Sequence, residues 1–170
     1  MLPDGALLEA REINCWRGDR HILRDVSFGV RAGEFLKITG PNGVGKTTLI
    51  RIVCGLLPAE SGTVHWRGKV VRSTNDEYHL EMAYLGHLNS LKADLTAREN
   101  LRLQCMFHHM HKGDAEAKIR QLLQTVGLEE AADRPARTYS GGLRKRLDLA
   151  TALISEPKIL FLDEPTTGLD

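Results

Sequence analysis

Gly40, Gly45, Lys46 and Thr47 fall at the spacing G-x-x-x-x-G-K-[ST], inside the segment Gly40-Pro-Asn-Gly-Val-Gly-Lys-Thr47. At that spacing successive backbone N–H groups point at an anion, and the lysine reaches the outer phosphates of a nucleotide. Gly43 and Gly45 allow the backbone to approach closely, and the helix expected to start there adds its partial positive charge. Thr47 offers a hydroxyl to Mg²⁺. Pro41, Asn42, Val44 and Thr48 complete the expected contact set. Guanine-binding proteins with such a loop carry an Asn-Lys-x-Asp segment, which is absent here. ATP is the expected nucleotide.

An acidic pair belongs to the same chemistry. Ile159-Leu-Phe-Leu162 reads as a strand ending in Asp163-Glu164. A carboxylate at the C-terminal edge of a parallel strand lies where open α/β sheets bind ligands. Asp163 is expected to hold Mg²⁺, directly or through water, and Glu164 to polarise the attacking water as general base. Tyr139-Ser-Gly-Gly-Leu143 is the third centre. Ser140 suits the cap of a helix that begins near Gly141, and Gly141 and Gly142 leave its N–H groups approachable by a phosphate.

The elements that must position these residues are short and punctuated. Glu34 to Thr39 reads as a central strand leading into the phosphate loop, and Thr47 to Cys54 as a helix stopped by Gly55. Two hairpins are expected: Leu7–Cys15 with His21–Val30 around Gly18-Asp19, and Gly62–Arg72 with Gly68-Lys69 at its turn. Glu81–Gly86 reads as a further strand. Thr96-Ala-Arg-Glu99 is a capping box opening a helix that runs to about His111. Asp114 is expected to cap a second helix, with Ile119, Leu122, Leu123 and Val126 on one apolar stripe and Gly127 as its stop. Phe107-His-His-Met-His-Lys112 has histidines in metal-like profusion, but no second ligand group completes a tetrahedral set. It reads as a solvated helix end.

Composition bounds the rest. A chain of 170 residues, 42% hydrophobic and 26% charged, is long enough to bury a core of its own. A net charge of +1 and no long basic run argue against a nucleic-acid partner. No apolar run approaches the roughly 20 residues of a membrane helix, and Met1-Leu-Pro-Asp-Gly5 lacks the pattern of a secretory signal. Three scattered cysteines, Cys15, Cys54 and Cys105, suit reduced, mostly buried thiols. A cytoplasmic protein, reaching any membrane through a partner, is expected.

Taken together, GPNGVGKTT, YSGG with its following helix, ILFLDEP and Thr166-Thr-Gly-Leu-Asp170 resemble the ATP-binding subunits of ABC transporters. The resemblance implies an α/β fold: a P-loop NTPase (RecA-like) core with an antiparallel β subdomain and a helical subdomain. It implies one domain over 1–170, with core and β subdomain at about 1–87 and 133–170 and the helical subdomain at about 88–132. Two copies would meet head to tail, each ATP held between one copy's phosphate loop and the other's Ser140-Gly-Gly142. Asp170 falls where the family's subunits touch. The family's switch histidine and last core strands would lie beyond it, so a C-terminally truncated cassette with weak turnover is expected.

Departures from the family pattern carry information. Tyr139 and Leu143 stand where the family has leucine and glutamine. His87 stands where its γ-phosphate-sensing glutamine is expected, and protonation near neutral pH would change the role of such a residue. The adenine-covering aromatic falls on Arg17, with Trp16 one residue earlier; either could cover the base, and core packing is the alternative for Trp16. The interval from Lys46 to Ser140 leaves no room for the coiled coil of a chromosome-type ATPase. A translation-type ATPase would need a second cassette. Tyr84 to Leu101, Arg17-Gly18, the Gly62–Gly68 hairpin and His87 are most similar to the haem-exporter ATP-binding family of bacterial cytochrome c maturation. Ser140 to Asp148 looks more like drug or polysaccharide efflux ATPases. The resemblance implies a peripheral subunit on the cytoplasmic face of the inner membrane, meeting an integral membrane permease through about 88–101.

Overall fold

The structure is a computed structural model that describes residues 5–72, 76–86 and 91–163. The chain divides into two compact units, Met1–His79 and Leu80–Asp170.

In the first unit, β1 (Leu8–Arg17) and β2 (Arg20–Val30) form the expected hairpin, with Arg17 opposite Arg20 across a two-residue turn. β3 (Ser61–Trp66) pairs with the other edge of β1, and β4 (Lys69–Val70) extends the sheet to the order β2-β1-β3-β4, all antiparallel. The β3–β4 turn is centred on Arg67-Gly68, one residue before the expected Gly68-Lys69. Both turn residues have positive φ, 49° and 77°, the pair that a type I′ hairpin demands. Opposite Gly62, β1 bulges: Glu12 takes φ 51°, and a Cβ on Gly62 would lie 2.4 Å from the Glu12 carbonyl oxygen. Only glycine lets these two strands pass so closely.

α1 (Lys46–Val53) ends as the sequence implies. Gly55 adopts φ 72°, its N–H reaches the Ile52 carbonyl, and the Leu56 N–H reaches that of Arg51. These are the two bonds of a Schellman stop. Leu49, Ile50, Ile52 and Val53 are buried. Tyr78, at 0% exposure, donates its hydroxyl to the Val53 carbonyl at 2.8 Å, and burial pushes its pKa up. The expected strand over 34–39 does not form. Among the described residues the sheet of this unit is made by β1 to β4, and a segment without a neighbouring ladder leaves its backbone groups and side chains outward. Phe35 is 84% exposed.

In the second unit, β5 (Met82–Leu85) and β6 (Ile159–Leu162) pair in parallel, preceded by the short α2 (Asp76–Glu81) that crosses the division between units. α3 (Ala97–Phe107), α4 (Lys112–Thr125) and α5 (Gly141–Ala152) share one core, including Leu101, Cys105, Ile119, Leu122, Leu147 and Ala150. The stripe on α4 faces it in full, and Gly127 (φ 65°) closes α4 with a second Schellman pair, Gly127 to Gln124 and Leu128 to Leu123. Cys15, Cys54 and Cys105 are all buried, as expected of reduced thiols.

Two boundaries differ from expectation. α3 stops at Phe107 because His109 enters the left-handed region at φ 53°, with His109 bonding back to Met106 and Met110 to Cys105. α4 starts at Lys112, two residues before Asp114, with His111 as cap and no side-chain cap bond. Asp114 sits in the first turn instead, where its charge favours the helix dipole.

Candidate nucleotide-binding site

Three centres were expected, and they lie in the two units separately: the phosphate loop and Trp16-Arg17 in the first, Ser140–Gly142 and Asp163 in the second. Glu164 and His87 lie outside the described residues, as does Thr166–Asp170.

The phosphate loop turns into α1 through Gly45, which caps the helix at φ 107° with no side-chain cap bond. A Cβ at this position would come within 3.2 Å of Leu23 Cδ2 and 3.6 Å of the Ile22 carbonyl oxygen. Strand β2 therefore packs close against the loop, and the positive φ at Gly45 is what calls for glycine. Lys46 folds back over the loop, its Nζ donating to the Gly40 carbonyl at 2.8 Å and the Pro41 carbonyl at 3.0 Å. The ammonium is thus held against the loop backbone at Gly40 and Pro41. Thr47 and Thr48 occupy the first turn of α1.

Trp16 is not a core residue. It is 43% exposed at the end of β1, and its ring lies parallel to that of His21 at 3.6 Å and 4°. Its cross-strand partner in the β1–β2 register is His21. Arg17, next to it, is exposed beside the turn. The core-packing alternative is thereby removed, because an indole with this much surface in water has a face to offer a ligand.

In the second unit Ser140 caps α5 as expected, accepting from the Leu143 N–H at 3.3 Å, with Gly141 and Gly142 in the first turn. Tyr139 supplies an anchor that the sequence reading did not assign: it is buried and donates its hydroxyl to the Ala131 carbonyl at 2.6 Å, and burial raises its pKa. The segment leading to Ser140 is tied to the start of α3. Arg98, Ala136 and Arg137 donate their N–H groups to the carbonyls of Ala132, Leu95 and Ala93. Arg98 also grips Asp133 through two nitrogens at 2.9 and 3.4 Å, and this bond is the main cause holding the Asp133 carboxyl below its ordinary pKa.

Asn100 was also missed. Its side chain accepts from the Lys92 N–H and donates to the carbonyls of Lys92, Leu95 and Thr96, fixing the 92–96 loop against α3. The Thr96–Glu99 capping box beside it forms in full, and the Thr96 backbone N–H lowers the Glu99 pKa. The box was legible because it is local; Asn100 has no local signature.

Asp163 follows β6, with its N–H donated to the Leu85 carbonyl at 2.9 Å. It is therefore at the C-terminal end of a parallel strand, 5% exposed, and its carboxylate accepts from the Tyr84 hydroxyl at 3.2 Å. β5 and β6 are half-buried rather than fully buried.

The ABC transporter family model matches residues 23–167. The chain belongs to the ABC transporter family. It is 40% identical, over 96% of its length and 76% of theirs, to the cytochrome c biogenesis ATP-binding export protein CcmA of Nitrosomonas europaea. A protein of the same description from Cupriavidus metallidurans is 40% identical over 97% of the chain and 77% of its own length, and one from Salmonella typhi 39% over 96% and 77%. Among solved structures, cbiO1 of Clostridium perfringens, part of the ABC transporter complex cbiONQ, superposes with a TM-score of 0.88. It shares 27% identity, over 98% of this chain and 68% of that one. Another ATP-binding subunit of an ABC transporter gives 0.80 at 29% identity, over 96% and 68%. The expected ABC ATPase fold is thereby supported by likeness as well as by motif. Among the described residues no helix is long and apolar enough to cross a membrane.

Proposed function

We propose that this chain is the ATP-hydrolysing subunit of an exporter that serves cytochrome c biogenesis, powering haem delivery through a separate membrane permease. The observation that carries this reading is the 40% identity, across almost the whole chain, to relatives named for that export. Relatives named for cytochrome c biogenesis export favour that reading over drug or polysaccharide efflux.

In this reading residues 1–170 form one ATP-binding domain, with 88–132 its helical subdomain. Trp16 covers adenine, with Arg17 beside it. The N–H groups of Gly40–Thr48 cradle the phosphates and Lys46 neutralises their outer charge. The residues present suit Mg²⁺: a hydroxyl at Thr47 and a buried carboxylate at Asp163 are hard oxygen donors. The ion would neutralise charge on the transferring phosphoryl group. Glu164 takes the proton from the attacking water, and His87 hydrogen-bonds on the γ-phosphate side. Ser140, Gly141 and Gly142 of a second copy close over the same nucleotide, so two chains pair head to tail. Residues 88–101 meet the permease, which holds the chain at the cytoplasmic face of the inner membrane.

Glu164→Gln tests the reading. The variant should bind ATP, pair in its presence by light scattering, and lose steady-state turnover. Retained hydrolysis removes Glu164 from the base role. Failure of the purified chain and its permease to release haem with ATP, while hydrolysis persists, removes haem as the cargo.

A further inference from the structure

Trp16 is the penultimate residue of β1, two residues from a hairpin tip, where an exposed side chain ordinarily samples several rotamers. Here one face of its indole is occupied. The His21 ring lies against it at 3.6 Å and 4° from parallel. His21 is itself fixed: its Nε2 is 2.9 Å from the Asn14 Oδ1. The Asn14 amide has only one possible orientation, because Oδ1 also accepts from the Asp25 backbone N–H at 3.1 Å while Nδ2 donates to the Glu12 carbonyl at 3.0 Å. Nδ2 also donates to Asp25 Oδ1 at 2.8 Å. The shared oxygen is an acceptor, so His21 Nε2 must carry a proton. Asn14 is 8% exposed, and its amide is saturated by the hairpin itself.

The next two residues of β2 bear on the phosphate loop. The Leu23 side chain and the Ile22 carbonyl are the atoms that a Cβ on Gly45 would meet. His21, Ile22 and Leu23 thus run from the indole to the loop within one strand.

We propose that His21 is a positioning residue for adenine: anchored by Asn14, it backs one face of Trp16 and presents the other, at a set distance from the phosphate loop, to the base. This rests on the reading of Trp16 as the adenine cover. The gain comes from preorganisation. An indole already stacked loses little rotamer freedom when a base arrives, whereas an unbacked one must be ordered by the ligand. The simpler role, a cross-strand pair that stabilises the hairpin, would affect folding but would not discriminate between ligands.

The test compares binding of MgATP and of magnesium tripolyphosphate, which has the phosphates but no base, by calorimetry. Trp16→Ala should weaken ATP about tenfold and leave tripolyphosphate unchanged. His21→Ala should weaken ATP about threefold to tenfold, again with tripolyphosphate unchanged, and His21→Phe, which keeps a flat ring, should restore ATP binding. The ATP-induced change in Trp16 fluorescence should shrink in His21→Ala and return in His21→Phe. If Trp16→Ala leaves ATP binding intact, the adenine reading fails, and this proposal with it. If Trp16→Ala weakens ATP but His21→Ala does not, only the positioning role is overturned. Equal weakening of both ligands by His21→Ala assigns His21 to the hairpin and overturns it too. Should His21→Ala fail to fold, His21→Gln keeps a hydrogen-bonding end without a ring; ATP binding at the native level in that variant would be equally fatal.

Discussion

Two helix starts in this chain carry glycines beside a hydroxyl or ammonium, and they are built in opposite ways. At the phosphate loop the cap is Gly45 in a left-handed conformation, the helix start has no side-chain cap bond, and a lysine is folded over the opening. At α5 the cap is Ser140 in an extended conformation, its hydroxyl already satisfies the Leu143 N–H, and Gly141 and Gly142 are ordinary helical residues. Glycine gives the first site its shape; in the second it contributes only the absence of a side chain. In the function proposed, the first is a cradle that wraps an anion, and the second a blunt, self-capped end that closes over one. The comparison separates recognition from closure and says which substitutions each end will tolerate.

The largest expected effect is at the lysine. Lys46→Ala should cut ATP affinity by about a hundredfold, the equivalent of two charge-assisted hydrogen bonds. Thermal unfolding without nucleotide should scarcely change, since among the described residues Lys46 bonds to exposed loop carbonyls. A large fall in the apo melting temperature would break the contrast, making the lysine structural.

Alanine at the two kinds of glycine should diverge. Gly45→Ala must place a methyl 3.2 Å from Leu23 in a left-handed backbone, so it should lose nucleotide binding and about 1–2 kcal/mol of stability. Gly141→Ala, in a helical turn, should keep or slightly raise stability, by up to about 1 kcal/mol, and weaken only the ATP-dependent pairing of chains. Calorimetry on both variants decides; equal destabilisation would erase the distinction.

α5 also carries a liability that α1 lacks. Asp148 is 7% exposed, its Oδ1 has no hydrogen-bond partner, and burial raises its pKa from 3.8 to about 6. The native state therefore holds a proton that the unfolded chain has already released. Stability should fall as pH rises from about 4 through about 6, and then level off. On the order of 2–3 kcal/mol is lost across that window. Asp148→Asn should flatten the profile in urea unfolding followed against pH. An unchanged slope would mean that Asp148 is not the titrating group.

The smallest effect is at the second cap. Ser140→Ala should cost about 1 kcal/mol of stability through loss of its one bond to the Leu143 N–H.

What the sequence made legible was local chemistry with a fixed offset. The Thr96–Glu99 box, the Gly55 and Gly127 stops, the hairpin at Gly18-Asp19 and the α4 stripe all formed where their residues implied. What it concealed depended on partners elsewhere. Glu34–Thr39 has strand-forming residues, yet no strand formed there, since a ladder needs a neighbour. The end of α3 was set by a histidine in a conformation usually left to glycine, with no sequence signal of its own. Tyr139 acts through a carbonyl outside any motif, and Asn100 holds the 92–96 loop through the carbonyls of Lys92, Leu95 and Thr96. His21 was partly legible: once the turn is placed at Gly18-Asp19, Trp16 must face it across the strands. The site followed the same rule. The phosphate loop, Ser140 and Asp163 sit on the elements expected to carry them, except for the strand before the loop.

The rungs joining 93–98 to 132–137 have a mechanical consequence. Three main-chain bonds, with the Arg98–Asp133 clasp, resist sliding in unison, so the two stretches translate as one piece. Ser140 begins three residues past the last rung. Load placed on the opening turn of α3 is therefore shared with the stretch that runs into Ser140.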